Sequence, residues 1–62
     1  MKMHRRELYE RVQREAGLAS ELEARQVTVA VFAALKEQLS LGEVDDIRSQ
    51  LPKDLKKVWE GA

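Results

Sequence analysis

The chain has no cysteine among its 62 residues, so neither a disulfide nor a thiolate metal ligand can hold it together. That absence suits the cytoplasm, which is the expected location. One proline and three glycines are too few for a loop-rich or low-complexity chain. Aromatic residues are limited to Tyr9, Phe32 and Trp59. No sign of charge dominates: eleven basic residues face eleven acidic ones. A protein that works by neutralising phosphate or anionic lipid normally carries a basic excess, and none exists overall. No apolar run approaches the roughly 20 residues that span a bilayer. None follows the basic residues at the amino terminus either, so a signal peptide and a membrane role are not expected.

The length predicts one domain over residues 1–62, and a small one. Chains of this size bury only about 60% of their unfolded surface, which makes a self-sufficient core marginal. Small proteins meet that shortage with disulfides, a metal or a partner subunit. With cysteine missing, the partner subunit is the remedy that remains.

What the chain does have is Val27-Thr28-Val29-Ala30-Val31-Phe32-Ala33-Ala34-Leu35, one polar residue in nine. Its β-branched residues would suit a strand. Two features decide for helix. Ser20-Glu21-Leu22-Glu23 upstream fits a capping box, in which Ser20 and Glu23 satisfy each other's amides. Downstream, Ala33 to Leu39 continues in strong helix formers. A lone strand would also have no partner strand.

Around this central helix the chain predicts an all-α fold, a compact bundle of about four helices, two longer ones followed by two short ones. The first runs from about Met3 to Ala16, with Leu8, Tyr9, Val12 and Ala16 as its apolar edge. Glu7 and Arg11, and Glu10 and Arg14, are spaced to pair on its polar side. Gly17 sits where a left-handed turn would end it. Ser40-Leu41-Gly42-Glu43 repeats the capping-box spacing and starts the third helix, with Leu39 and Val44 at staple positions. Val44, Ile47 and Leu51 mark the buried edge. Pro52 disfavours helical geometry at Leu51 and suits the first turn of a fourth helix. That helix buries Leu55, Val58 and Trp59, carries Lys56 and Lys57 toward its carboxyl end, and leaves Gly61-Ala62 as a loose tail.

On a helical wheel the second helix shows three surfaces. Thr28, Val31, Phe32, Leu35 and Leu39 gather on one side and should take the chain's own core. Ala24, Val27, Ala30 and Ala34 form a smoother strip beside them. Leu22, Val29 and Ala33 form another, set apart by Arg25 and Lys36. A helix apolar around most of its circumference is normally covered on several sides, and three short helices can cover only part of it. The surplus makes Val27, Val29, Ala30, Val31, Ala33 and Ala34 the candidate interface residues. Trp59 joins them as a possible anchor near the chain end, although core packing is the commoner use of an aromatic at helical spacing.

The chemistry for catalysis is missing. His4, the one histidine, stands beside Arg5 and Arg6 with no partner that would make it a base or a ligand. Glu43, Asp45 and Asp46 lack the alternating ligands and turn glycine of a calcium loop, and suit a helix amino terminus instead. Ser20 and Ser40 have capping roles, and neither they nor Ser49 have a nearby base. No catalytic, metal or cofactor-binding residue is therefore assigned, and an enzyme is not expected. Nucleic acid has a better case. Lys2, Arg5, Arg6, Arg11 and Arg14 load the first helix, while Lys53, Lys56 and Lys57 load the fourth; side by side they would make a basic patch. Against it, the third helix opens with acidic residues that repel phosphate, and glutamates dilute the first.

The spacing Leu8-(x)3-Val12, Gly17-Leu18, Ala24, Ala30-Val31 and Leu35, followed by Leu39-Ser40-x-Gly42-Glu43 and Gln50-Leu51-Pro52-x-x-Leu55, resembles an uncharacterised bacterial family, domain of unknown function 2267. The resemblance runs from about Glu7 to Trp59. Gly42-Glu43-Val44-Asp45-Asp46 and Gln50-Leu51-Pro52 are its most specific parts. It implies a helical fold and no catalytic residues; Ser20, Glu23, Ser40, Glu43 and Pro52 read as structural caps. Members typically carry two such units in tandem, and this chain looks like the second alone. A second copy would then stand in for the missing unit.

The expected function is a non-enzymatic helical interaction module acting through homo-oligomerisation, with a dimer ahead of a tetramer and another protein partner possible. The alternative is a small nucleic-acid-binding regulator using the first and fourth helices.

Overall fold

A computed structural model describes residues 3–62. Among the described residues there are four helices and no strand: α1 (Arg5–Ala16), α2 (Glu21–Gln38), α3 (Leu41–Gln50) and α4 (Lys53–Gly61). None is long and apolar enough to cross a membrane.

The helix boundaries follow local chemistry. Gly17 ends α1 in the left-handed region at φ 64°, and Leu18 donates its amide to the Gln13 carbonyl at 2.9 Å. A side chain with a Cβ is strained in that conformation, which explains the glycine. Ser20 accepts the Glu23 amide at 3.2 Å, as the spacing predicts. Glu23 reaches back one residue further than expected, to the Ala19 amide at 3.0 Å. The second box is complete: Ser40 accepts the Glu43 amide at 3.2 Å, and Glu43 accepts the Ser40 amide at 3.0 Å. The Ser40 amide first, and the Ser40 hydroxyl second, hold the Glu43 carboxyl below the usual carboxylate range. Leu51 is extended before Pro52, and Pro52 itself serves as N-cap of α4, one position ahead of the predicted first turn.

α1 and α4 both lie against α2, while α3 is held chiefly against α4. The core sits where the first three meet. Tyr9 of α1, Ala24 and Thr28 of α2, and Leu55 and Trp59 of α4 are buried. The Trp59 ring meets Phe32 edge-on, with centroids 5.1 Å apart. Thr28 satisfies its buried hydroxyl by donating to the Ala24 carbonyl at 2.8 Å.

This arrangement corrects the predicted use of α2. Its core row is Ala24, Thr28 and the half-buried Phe32, not the large residues as a group. Val31 and Leu35 are 50% and 43% exposed. Residues three apart differ by roughly 60° around a helix, so the row Val27-Val31-Leu35 lies one row over from Ala24-Thr28-Phe32. Small residues at the crossing point admit neighbours that bring their own bulk, here Tyr9 and Trp59. The predicted alanine strip is split by the same logic: Ala24 is fully buried, whereas Ala30 and Ala34 are exposed.

Other expectations also shift. On α1, Tyr9 is the buried residue, Leu8 and Val12 are half-buried, and Ala16 is exposed. Its ion pairs are Arg6 with Glu10 at 3.7 Å and Arg11 with Glu15 at 3.6 Å, not the two predicted pairs. Exposed pairs of this kind are worth little, so the choice among neighbours is nearly free. No residue of α3 is fully buried. The chain end is held: Gly61 is helical, and Lys36 of α2 donates its Nζ to the carbonyls of Trp59 at 2.9 Å and Ala62 at 3.1 Å. Lys56 and Lys57 fall before the last turn of α4, so its terminal carbonyls take their cation from α2 instead.

Candidate functional site

Two surfaces remain once the core is accounted for. The first is a face of α2. Val27, Ala30, Val31, Ala34 and Leu35 are all exposed, and at 100° per residue they occupy an arc of about 140°. No charged residue occurs between Val27 and Leu35. The row Val27-Val31-Ala34-Gln38 follows the alternating four- and three-residue steps of a helix–helix seam. Because α1 and α4 are committed to other sides of α2, and α3 is held mainly by α4, this arc lacks cover from its own chain.

Of the predicted interface residues, Val27, Ala30, Val31 and Ala34 are thus brought together on one exposed face. Val29 and Ala33 are half-buried on a different side. Trp59 is 1% exposed and lies in the core, so it is not available on the surface of this chain. Its aromatic bulk fills the space beside Phe32 that the small residues of α2 leave. Leu35 belongs to the exposed face although its size had assigned it to the core. Leu41, at the first position of α3, is 90% exposed.

The second surface is a groove of about 810 Å³ between the starts of α1 and α2 and the later part of α4. It is lined by Arg5, Arg6, Tyr9, Glu21, Leu22, Arg25, Lys57 and Val58. Beside this groove α1 and α4 are tied together by Asp54. Its Oδ2 accepts the Arg5 amide at 2.9 Å, supplying the cap that His4 does not give α1, and its Oδ1 accepts the Leu55 amide at 2.9 Å. The Arg5 amide is the main cause that holds the Asp54 carboxyl below its ordinary range; His4, 3.9 Å away, contributes less. Of the basic residues predicted to cluster, Arg5, Arg6 and Lys57 meet in this groove, and Lys53 lines an adjoining cleft with Arg5 and Lys57. Arg25 of α2 joins them, which no reading of the first and fourth helices alone would find. Arg11 and Arg14 lie outside the groove, Arg14 lining a separate cleft with Glu10 and Gly17. Lys2 lies outside the described residues.

The described residues contain no group of three or more His, Asp or Glu side chains placed to hold a metal ion. Ser20 and Ser40 are engaged as helix caps, and Ser49 donates to the Asp46 carbonyl at 2.7 Å.

Comparison with known proteins yields one family model, described as an uncharacterized conserved protein, DUF2267, which matches residues 2–62. No curated protein and no solved structure matches the chain.

Proposed function

The chain belongs to the DUF2267 family of uncharacterized conserved proteins, and we propose that it works as a helical interaction module that pairs with a second copy of itself through α2. The observation that carries this is the uncovered face Val27, Ala30, Val31, Ala34 and Leu35 on the longest helix of a chain with few ways to enlarge its core. A face without charge and with alanines among larger side chains lets two helices approach closely and bury their branched residues together.

Val31→Asp tests the pairing. Val31 is half exposed, so the folded monomer should lose no more than about 0.5 kcal/mol, as for other surface changes. Buried in a seam, an unpaired carboxylate costs on the order of 3 kcal/mol, which weakens association about 100-fold. Helical content should therefore persist while the oligomer dissociates. An oligomer of unchanged size in Val31→Asp and in Leu35→Lys would refute this placement of the interface.

A second reading, nucleic-acid binding through α1 and α4, is favoured by one observation: Arg5, Arg6 and Lys57 share a groove. It ranks below assembly because Glu21 lines the same groove and Glu7 and Glu10 are exposed on α1.

A further inference from the structure

The basic groove calls for an explanation that pairing through α2 does not give, since it shares no residue with the exposed arc. The whole chain is neutral, yet four cations and one carboxylate line this recess. The ion pairs among the described residues use Arg6, Arg11 and Arg48 as their cations, and His4 stands 3.9 Å from Asp54. Arg5, Arg25 and Lys57 therefore stand together with no carboxylate partner among the described residues. Unpaired like charges drawn from three helices repel one another, and that repulsion is relieved when an anion binds between them. Guanidinium groups suit phosphate because their planar fork donates two parallel hydrogen bonds.

An independent observation lies in the wall of the same recess. Tyr9 is 4% exposed, and its Oη is buried with no hydrogen-bond partner. A phenol hydroxyl is ordinarily satisfied when buried, and this one, like the Trp59 Nε1 in the core, has no partner among the described residues. The remaining lining is apolar, from Leu22 and Val58. Leu22 is 59% exposed and gives the recess an open apolar edge.

We infer that the groove bounded by Arg5, Arg6, Arg25 and Lys57 is a binding site for a small phosphate monoester carried on an apolar or aromatic body. Arg5, Arg25 and Lys57 take the phosphate dianion. Leu22 and Val58 cover the body of the ligand, and the unpartnered Tyr9 hydroxyl is a further donor within the wall. The mixed lining separates this ligand from a nucleic-acid backbone. A backbone runs along an open basic stripe, whereas here the cations surround a recess that also holds Glu21.

The test is titration of the isotopically labelled 62-residue chain with phenyl phosphate at pH 7.5, where the ester is mainly a dianion, followed through its backbone amides. Shifts should concentrate at Arg5, Arg6, Tyr9, Leu22, Arg25 and Val58. Inorganic phosphate, which lacks the apolar body, should bind at least fivefold more weakly. Arg25→Gln and Lys57→Gln alter exposed side chains, so the fold is retained, and each should weaken phenyl phosphate at least tenfold. Arg14→Gln, in a different cleft, should leave affinity unchanged. Tyr9→Phe keeps the ring and should weaken binding about threefold; unchanged affinity would remove the hydroxyl from the site. The inference fails if Arg25→Gln and Lys57→Gln bind as the parent does, or if inorganic phosphate binds equally well. It also fails if short random-sequence duplex DNA perturbs the same amides more strongly than phenyl phosphate, with the steep salt dependence of phosphate-backbone contacts.

Discussion

Replacing Lys36 by methionine should destabilise the chain well beyond the loss of a solvated surface charge. The Lys36 Nζ donates to the Trp59 carbonyl at 2.9 Å and the Ala62 carbonyl at 3.1 Å, and it stands 5.8 Å from the centroid of the Trp59 ring. One side chain thereby ties α2 to the end of α4, where the last carbonyls have no helical partner. A hydrogen bond from a charged donor contributes a net ~1.5–3 kcal/mol. The two bonds share one ammonium that is only partly buried, so the lower end is appropriate, and the ring contact adds about 0.5 kcal/mol. Methionine keeps the apolar stem, which confines the loss to the ammonium. The expected cost is about 2 kcal/mol, which in a domain of this size lowers Tm by roughly 8–16 °C. Thermal melts by far-ultraviolet circular dichroism at matched protein concentration measure it, with Lys53→Met as a control that should leave Tm almost unchanged. A fall of less than about 3 °C for Lys36→Met would show that this contact is no stronger than a solvated surface pair.

Two further outcomes follow from the caps. Gly17→Ala should cost about 1 kcal/mol through backbone strain alone, because a Cβ there meets nothing within 4 Å; an unchanged denaturant midpoint would mean the turn can relax to negative φ. Acid should destabilise the protein through Glu43 and Asp54, whose carboxyls are held below their ordinary values chiefly by the amides of Ser40 and Arg5 respectively. A depressed folded pKa gives stability that is present above the unfolded value and is lost as pH falls through the folded one. Tm should therefore stay level from neutral pH to about 5 and drop below about pH 4, and Glu43→Gln with Asp54→Asn should flatten that drop. An equally steep acid limb in the double variant would assign it to other carboxylates.

The parts of the fold that depend on neighbours three or four residues apart were legible in the sequence. Ser40 and Glu43, Gly17, and Leu51 before Pro52 do what their spacing predicts, because each cap or break is decided within one turn. The division of α2 between core and surface was not legible. Thr28 and Val31 lie on neighbouring rows, and which row is covered depends on where α1 and α4 lie. Periodicity marks an apolar helix but cannot assign its faces to partners. The same reason hides Asp54 as the cap of α1, 49 residues away from the amide it accepts, and Lys36 as the cation at the end of α4. Size was a misleading guide at Leu35, which its bulk would place in the core and which is 43% exposed, whereas Trp59 takes the core place that its helical spacing favours. The basic cluster was half legible: α1 and α4 do meet, but Arg25 enters from α2, whose charge pattern gives no hint of that neighbourhood.

Pairing through the uncovered face of α2 is the central claim, and sedimentation equilibrium of the unaltered chain at micromolar concentrations tests it most directly. The account predicts a mass of twice the chain or a higher multiple, shifting toward the monomer on dilution. A stably folded species of single-chain mass throughout that range would contradict it.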